Sequence, residues 1–89
     1  MVKLALLGAS GSIGRQALEV CRWQRQDIKV IALSGGGDWR FLAEAAREFR
    51  PALAAVAEEA AYAPLKRELS GLPITVLAGE EGLAACAAH

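Results

Sequence analysis

The stretch "LLGASGSIGRQAL" (residues 6–18) constrains the fold of this chain more than any other. Its glycines Gly8, Gly11 and Gly14 recur at every third position, after the apolar run "KLALL" (3–7) and before a segment with helical periodicity. Glycines in a strand-to-helix turn let the chain turn tightly, let the backbone approach a diphosphate and let the helix pack closely on the strand. The segment therefore predicts a strand, a glycine turn and a helix, and it raises the question of nucleotide binding.

Three further strand and helix pairs follow this turn. Apolar runs predict the strands, and apolar residues three or four positions apart predict the helices. The predicted strands are residues 28–33, 52–56 and 73–79, and the predicted helices are residues 39–49, 58–71 and 80–89. Strands that alternate with helices favour an α/β fold, here a Rossmann-like doubly wound parallel sheet of about four β-α units.

Several single residues refine these boundaries. The first helix should bury a stripe of Ile13, Ala17, Leu18 and Cys21, and Asp38 stands where the N-cap of the second helix belongs. Pro51 should close that second helix. Pro64 should lie either in the first turn of the third helix or at a kink, with Gly71 at its end.

Length and composition permit one small domain. The chain has 89 residues, of which 54% are hydrophobic, and it ends inside an apolar helical pattern. We therefore expect residues 1–89 to be part of a larger domain. The two cysteines, Cys21 and Cys86, are 65 positions apart without a second ligand at metal-binding spacing, so they are expected to be buried packing residues.

The balance of charge limits the kinds of partner. Ten basic and ten acidic residues cancel, which argues against nucleic acid and against an anionic membrane surface as partners. No apolar run approaches the ~20 residues that a membrane-spanning helix needs, and no leader peptide is recognisable. These observations predict a cytoplasmic protein that binds any anion locally.

The glycine turn has the chemistry of a phosphate site. The N–H groups of residues 10–13 would face an anion at the positive end of the first helix, with the Ser10 and Ser12 hydroxyls as further donors. The G-x-x-G-x-x-G spacing differs from G-x-G-x-x-G and is a weak signal alone. A second cluster, "SGGGD" (34–38), follows the second strand, where a dinucleotide fold places the adenosine ribose. Both clusters could instead be plain tight turns.

Two longer segments carry a family resemblance. With "GASGSIGRQALEV" and "VIALSGGGDWRFLAEAAREFRP", the chain resembles the N-terminal NADPH-binding region of 1-deoxy-D-xylulose 5-phosphate reductoisomerases, over essentially all 89 residues. The "GSIG" segment is more specific than the glycines, because semialdehyde dehydrogenases also begin with a G-A-[ST]-G turn. The resemblance implies an enzyme that rearranges 1-deoxy-D-xylulose 5-phosphate and reduces the product with NADPH to 2-C-methyl-D-erythritol 4-phosphate, in the non-mevalonate route to isoprenoids.

The resemblance also implies which residues contact the cofactor. They are, around the diphosphate, Gly8, Ser10, Gly11, Ser12 and Ile13 and, near the adenosine ribose, Gly36, Gly37 and Asp38. The family usually has Lys, Arg or Ser and then Asn at the last two positions. An Asp accepts hydrogen bonds from a free ribose hydroxyl, so the preference for NADPH over NADH should be weakened unless Arg40 supplies the missing charge. Alternatively, Asp38 only caps the second helix.

The remaining implied features concern the whole enzyme. The resemblance implies a divalent metal, Mg²⁺ or Mn²⁺, a phosphorylated sugar substrate and a homodimer, and it places the catalytic and metal-binding residues outside this chain. The available carboxylates are expected to be solvated or to complement helix dipoles; they are Glu44, Glu48, Glu58, Glu59, Glu80 and Glu81. A semialdehyde dehydrogenase-type reductase and a nucleotide-sensing module without catalysis are the alternatives.

Overall fold

A computed structural model describes residues 2–88 and shows an alternation of strands and helices. The elements are β1 (Val2–Leu6), α1 (Ser12–Trp23), β2 (Ile28–Gly35), α2 (Trp39–Phe49), β3 (Leu53–Val56), a short 3₁₀ turn (Glu59–Ala61), α3 (Tyr62–Glu68), β4 (Thr75–Ala78) and α4 (Gly79–Ala88). The described strands form one parallel sheet in the order β1-β2-β3-β4. The predicted Rossmann-like α/β fold is therefore confirmed.

Helices cover both faces of this sheet. On one face, Leu18 of α1, Leu42 of α2 and Leu65 of α3 share a core with alternate strand residues. On the other face, Cys86 of α4 packs against Ala32 of β2 and neighbouring residues of β3. Strands that are buried on both faces read as continuous apolar runs, which explains why β2 and β3 show little alternation in the sequence.

The third helix differs from its predicted limits, whereas α2 has the limits that were predicted. The segment predicted as one helix over 58–71 contains the 3₁₀ turn and then α3, with Pro64 in the first turn of α3, where its missing N–H is not needed. Helix α2 ends at Phe49 because Arg50 takes a left-handed conformation with φ 51°. Proline disfavours the α-helical conformation in the residue before it, so Pro51 acts through Arg50.

The two cysteines are packing residues, as predicted. Cys21 and Cys86 are both buried, and desolvation raises the pKa of each thiol. Across residues 2–88, no three His, Cys, Asp or Glu side chains are grouped in a way that would hold a metal ion. In the same range, no helix has the length and apolar character that crossing a membrane requires.

Candidate functional site

The turn between β1 and α1 is held by two of its three glycines. Gly8 follows β1 with φ +68°, a left-handed conformation that side chains disfavour, and its carbonyl oxygen accepts a hydrogen bond from the Gly11 N–H at 3.1 Å. A Cβ on Gly14 would lie 2.2 Å from that same Gly8 oxygen. The backbone therefore requires Gly8 for the turn and Gly14 for the close packing of α1 on it.

Among residues 2–88, no contact requires a glycine at position 11. Its φ of −76° and ψ of 169° suit any residue, and the nearest atom to a Cβ there is 3.5 Å away, an ordinary contact distance. Gly11 is the N-cap of α1, and no side chain caps this helix. The first N–H groups of a helix have no internal partner, so those of Ser12 and Ile13 open at its positive end. The space at Gly11 therefore fits an anion that approaches from outside.

The other residues of the turn lie around this opening. Ser12 and Ile13 are exposed, with 82% of Ile13 accessible, and Ser10 is half-buried. The predicted helix stripe was therefore wrong at Ile13, whereas Leu18 and Cys21 are buried as expected. Because Gly14 is the residue that faces the turn, its neighbour Ile13 lies on the outer side of the first helical turn.

The second glycine cluster meets the first at the carboxyl edge of the sheet. The Ala9 N–H donates to the Ser34 carbonyl oxygen at 2.7 Å, and the Gly8 N–H donates to the Ser34 hydroxyl at 3.3 Å. A Cβ on Gly35 would lie 2.9 Å from the Ser10 hydroxyl oxygen. The two turns predicted to form one site are thus in direct contact.

Gly36 and Gly37 differ in their surroundings. Gly36 is exposed, and a Cβ there would have only the Glu58 carboxylate near it, at 4.0 Å. A Cβ on Gly37 would lie 1.8 Å from a Glu58 oxygen. Glu58 is exposed, in agreement with its predicted role as a solvated or dipole-complementing charge, and its carboxylate also lies next to Gly37. Its position just after β3, at the same sheet edge, is the sequence signal that would have found it.

Asp38 makes two contacts at the start of α2. One carboxylate oxygen accepts a hydrogen bond from the Phe41 N–H at 3.2 Å, so the predicted capping role is confirmed. The other forms an ion pair with Arg15 of α1, also at 3.2 Å.

The side chain of Arg40 lies over the Trp39 ring, 5.1 Å from the ring centre, and lines a groove towards Glu68 of α3. Arg40 was named as a possible source of positive charge for a cofactor phosphate at this turn; in this structure Arg15 is the cation that pairs with Asp38.

A cavity of about 270 Å³ opens beside the two turns. It lies at the carboxyl ends of β1, β2 and β3, the place where open α/β sheets bind their ligands. It is lined by Leu7, Gly8, Ser34, Gly35, Gly36, Ala57 and Leu83. Its walls are largely apolar, which suits the flat ring of a nucleobase more than a charged group.

Comparison with known proteins decides the family. The model of the family described as 1-deoxy-D-xylulose 5-phosphate reductoisomerase matches residues 4–89. The chain belongs to this family. It is similar to the reductoisomerases of Trichlorobacter lovleyi, with 42% identity over 98% of this chain and 22% of that protein, and of Lachnoclostridium phytofermentans, with 44% identity over 94% and 21%. The semialdehyde dehydrogenase alternative is therefore not supported.

Solved reductoisomerase structures share the fold. The reductoisomerase of Zymomonas mobilis in complex with NADPH has a TM-score of 0.92 and 31% identity, over 97% of this chain and 23% of that one. A second reductoisomerase, in complex with NADPH, fosmidomycin and magnesium, has a TM-score of 0.91 and 34% identity, over 98% and 22%. The chain thus spans less than a quarter of the length of the reductoisomerases that it matches.

Proposed function

We propose that residues 1–89 form the N-terminal NADPH-binding portion of a 1-deoxy-D-xylulose 5-phosphate reductoisomerase. One observation carries the proposal: Gly11 leaves the amino end of α1 uncapped and open, although nothing in the described part of the chain requires a glycine there. An open helix end beside a glycine turn is suited to a diphosphate. Membership of a family with NADPH-bound structures supports the same ligand.

The two glycine turns would divide the cofactor between them. We assign the diphosphate to the first turn, namely Gly8, Ser10, Gly11, Ser12 and Ile13. We assign the adenosine ribose to the second, namely Gly36, Gly37 and Asp38, and the adenine to the apolar cavity lined by Ala57 and Leu83. In this arrangement the chain binds and orients NADPH, which supplies a hydride when bound.

The activity of the whole protein is part of the same proposal. The full-length enzyme would isomerise 1-deoxy-D-xylulose 5-phosphate and reduce the product, with Mg²⁺ or Mn²⁺ bound outside the region described. Following the family resemblance, we place the metal-binding and catalytic residues outside this chain. A homodimer and a cytoplasmic location stay predictions.

Calorimetric titration of the chain with NADPH tests the proposal. Gly11→Val places a side chain in the space assigned to the diphosphate, and we expect it to weaken NADPH binding at least about a hundredfold, because the phosphate can no longer reach the helix N–H groups. Ala63→Val is the matched control, since it adds apolar volume at an exposed position of α3. If Gly11→Val bound NADPH as tightly as the control, the assignment of the diphosphate would be wrong.

A further inference from the structure

Arg15 is held in a fixed place between the two glycine turns. Its Nε donates to the Ser10 carbonyl oxygen at 2.8 Å, and one Nη donates to Asp38 at 3.2 Å. Its guanidinium lies over the Phe41 ring, with the central carbon 4.1 Å from the ring centre. Stacking and two hydrogen bonds orient a planar cation far better than a single surface ion pair does. Arg15 is thus a positioned charge rather than a freely moving one.

This cation still has capacity to bind an anion. Its side chain is 51% accessible, and Nη1 has no hydrogen-bond partner within residues 2–88. A guanidinium can offer two parallel N–H groups to one phosphate, and the Nη1 side is left available by the bonds that Nε makes to Ser10 and Nη2 makes to Asp38. The open side of Arg15 is therefore a donor surface at the start of α2, next to the residues assigned to the adenosine ribose.

We propose that Arg15 binds the 2′-phosphate of NADPH and thereby sets the preference of this chain for NADPH over NADH. The proposal rests on the assignment of the adenosine ribose to Gly36, Gly37 and Asp38. Neither glycine carries a charge, so the cation comes from α1, which reaches the second turn across 23 positions of sequence. Asp38 acts as a positioning residue, because it holds the guanidinium while it caps α2.

The carboxylates around the second turn oppose a phosphate, so recognition of a 2′-phosphate depends on the donors of Arg15. Asp38 and Glu58 both place carboxylates near the second turn. Without a cation, these carboxylates would repel a phosphate, and Asp38 would instead accept a hydrogen bond from a ribose hydroxyl. Arg15 offsets the Asp38 charge and offers directed N–H donors to a phosphate, and in the proposal these donors outweigh the remaining Glu58 charge.

Calorimetric titration of the chain with two pairs of ligands tests this role. The pairs are NADPH with NADH, and adenosine 2′,5′-bisphosphate with adenosine 5′-monophosphate; each pair differs by one 2′-phosphate. We expect Arg15→Gln to lower the preference for the phosphorylated member about ten- to a hundredfold, because charge-assisted hydrogen bonds are lost. Arg15→Lys should restore part of the preference, whereas the control Arg40→Gln should leave it unchanged.

The outcomes separate this inference from the proposed function. Failure of both dinucleotides to bind the unaltered chain would overturn the proposed function and the role of Arg15 together. Tight NADPH binding with the same preference in Arg15→Gln would overturn the role of Arg15 alone. A loss of preference in Arg40→Gln instead would show that the cation comes from α2. A general loss of folding would weaken both members of each pair equally, so it cannot imitate the expected result.

Discussion

Helices α1 and α2 begin at the same edge of the sheet, each after a glycine turn, but their amino ends differ. The N-cap of α1 is Gly11, which offers no side chain, whereas the N-cap of α2 is Asp38, whose carboxylate accepts the Phe41 N–H. Each helix end carries a partial positive charge. The chain neutralises that charge at α2 with its own carboxylate and leaves it open at α1, so an external anion is expected at α1.

The two turns also contain glycine for different physical reasons. In the first turn, Gly14 faces backbone atoms, which cannot move aside. In the second turn, Gly37 faces the end of the Glu58 side chain, which can rotate away. Gly14 is therefore required by the fold, whereas Gly37 can accept a substitution. A short distance to an added Cβ is therefore restrictive only where the neighbouring atom is rigid.

The largest expected effect is on stability, and it contrasts these two glycines directly. Gly14→Ala should lower the free energy of unfolding by about 3 kcal/mol, because its Cβ would lie 2.2 Å from the Gly8 carbonyl oxygen. Gly37→Ala should lower it by less than about 1 kcal/mol, although its Cβ would lie 1.8 Å from Glu58. Urea unfolding of both variants measures the difference. Equal losses would show that the second turn is as rigid as the first.

A smaller effect is expected from Gly11→Asp, which would make the start of α1 resemble the start of α2. Gly11 already has an N-cap conformation with space for a side chain, so Gly11→Asp should cap α1 and raise the free energy of unfolding by a few tenths of a kcal/mol, since glycine is itself a tolerated N-cap. The new carboxylate would occupy the anion site, and NADPH affinity should fall at least about a hundredfold. Thermal unfolding and calorimetry measure the two effects.

Gly11→Asn is the control, because it provides a cap without the charge. It should give a similar gain in stability, and its loss of NADPH affinity should be smaller by the contribution of the charge. If Gly11→Asp became more stable and bound NADPH normally, the open end of α1 would not be the diphosphate site.

The sequence was sufficient for the elements and the two turns, because these depend on local patterns. Apolar periodicity predicted the strands and helices, and the position of Asp38 before an apolar stripe predicted its cap. The limits of α3 were less predictable, since the 3₁₀ turn before it depends on how residues 59–61 pack after β3. Similarly, the exposure of Ile13 depends on the contact of Gly14 with the first turn, which no helical stripe reveals.

Contacts between the turns could not be predicted in the same way. Arg40 is two positions from Asp38, and it was chosen as the cation for that reason, but the side chain of Arg40 lies over Trp39. Arg15 is 23 positions away and reaches Asp38 because parallel strands bring both turns to one edge. Glu58 reaches Gly37 for the same reason. Sequence proximity was a poor guide wherever three strand ends meet.

The smallest expected effect tests whether the difference between the helix starts is local. At the carboxyl ends of α1 and α2, Arg22 donates two hydrogen bonds to the Glu48 carboxylate, from Nε at 2.5 Å and from Nη2 at 2.7 Å. These bonds hold the pKa of Glu48 below its ordinary value of 4.5. This stabilisation is present above that ordinary value and is lost as the pH falls through the lower pKa of the folded state. Arg22→Met should therefore lower the free energy of unfolding by about 0.5–1 kcal/mol at pH 7, and by less near pH 3.

NADPH affinity provides the sharper readout for the same variant. The Arg22–Glu48 pair joins the helices far along the chain from Gly11 and Asp38, so Arg22→Met should leave the dissociation constant of NADPH within about twofold. The exposed Arg67 of α3 provides the control variant Arg67→Met for the loss of one positive charge. A tenfold loss of NADPH affinity in Arg22→Met alone would mean that the two helix starts depend on how α1 and α2 pack. The open end of α1 would then be a property of the helix pair and not of Gly11.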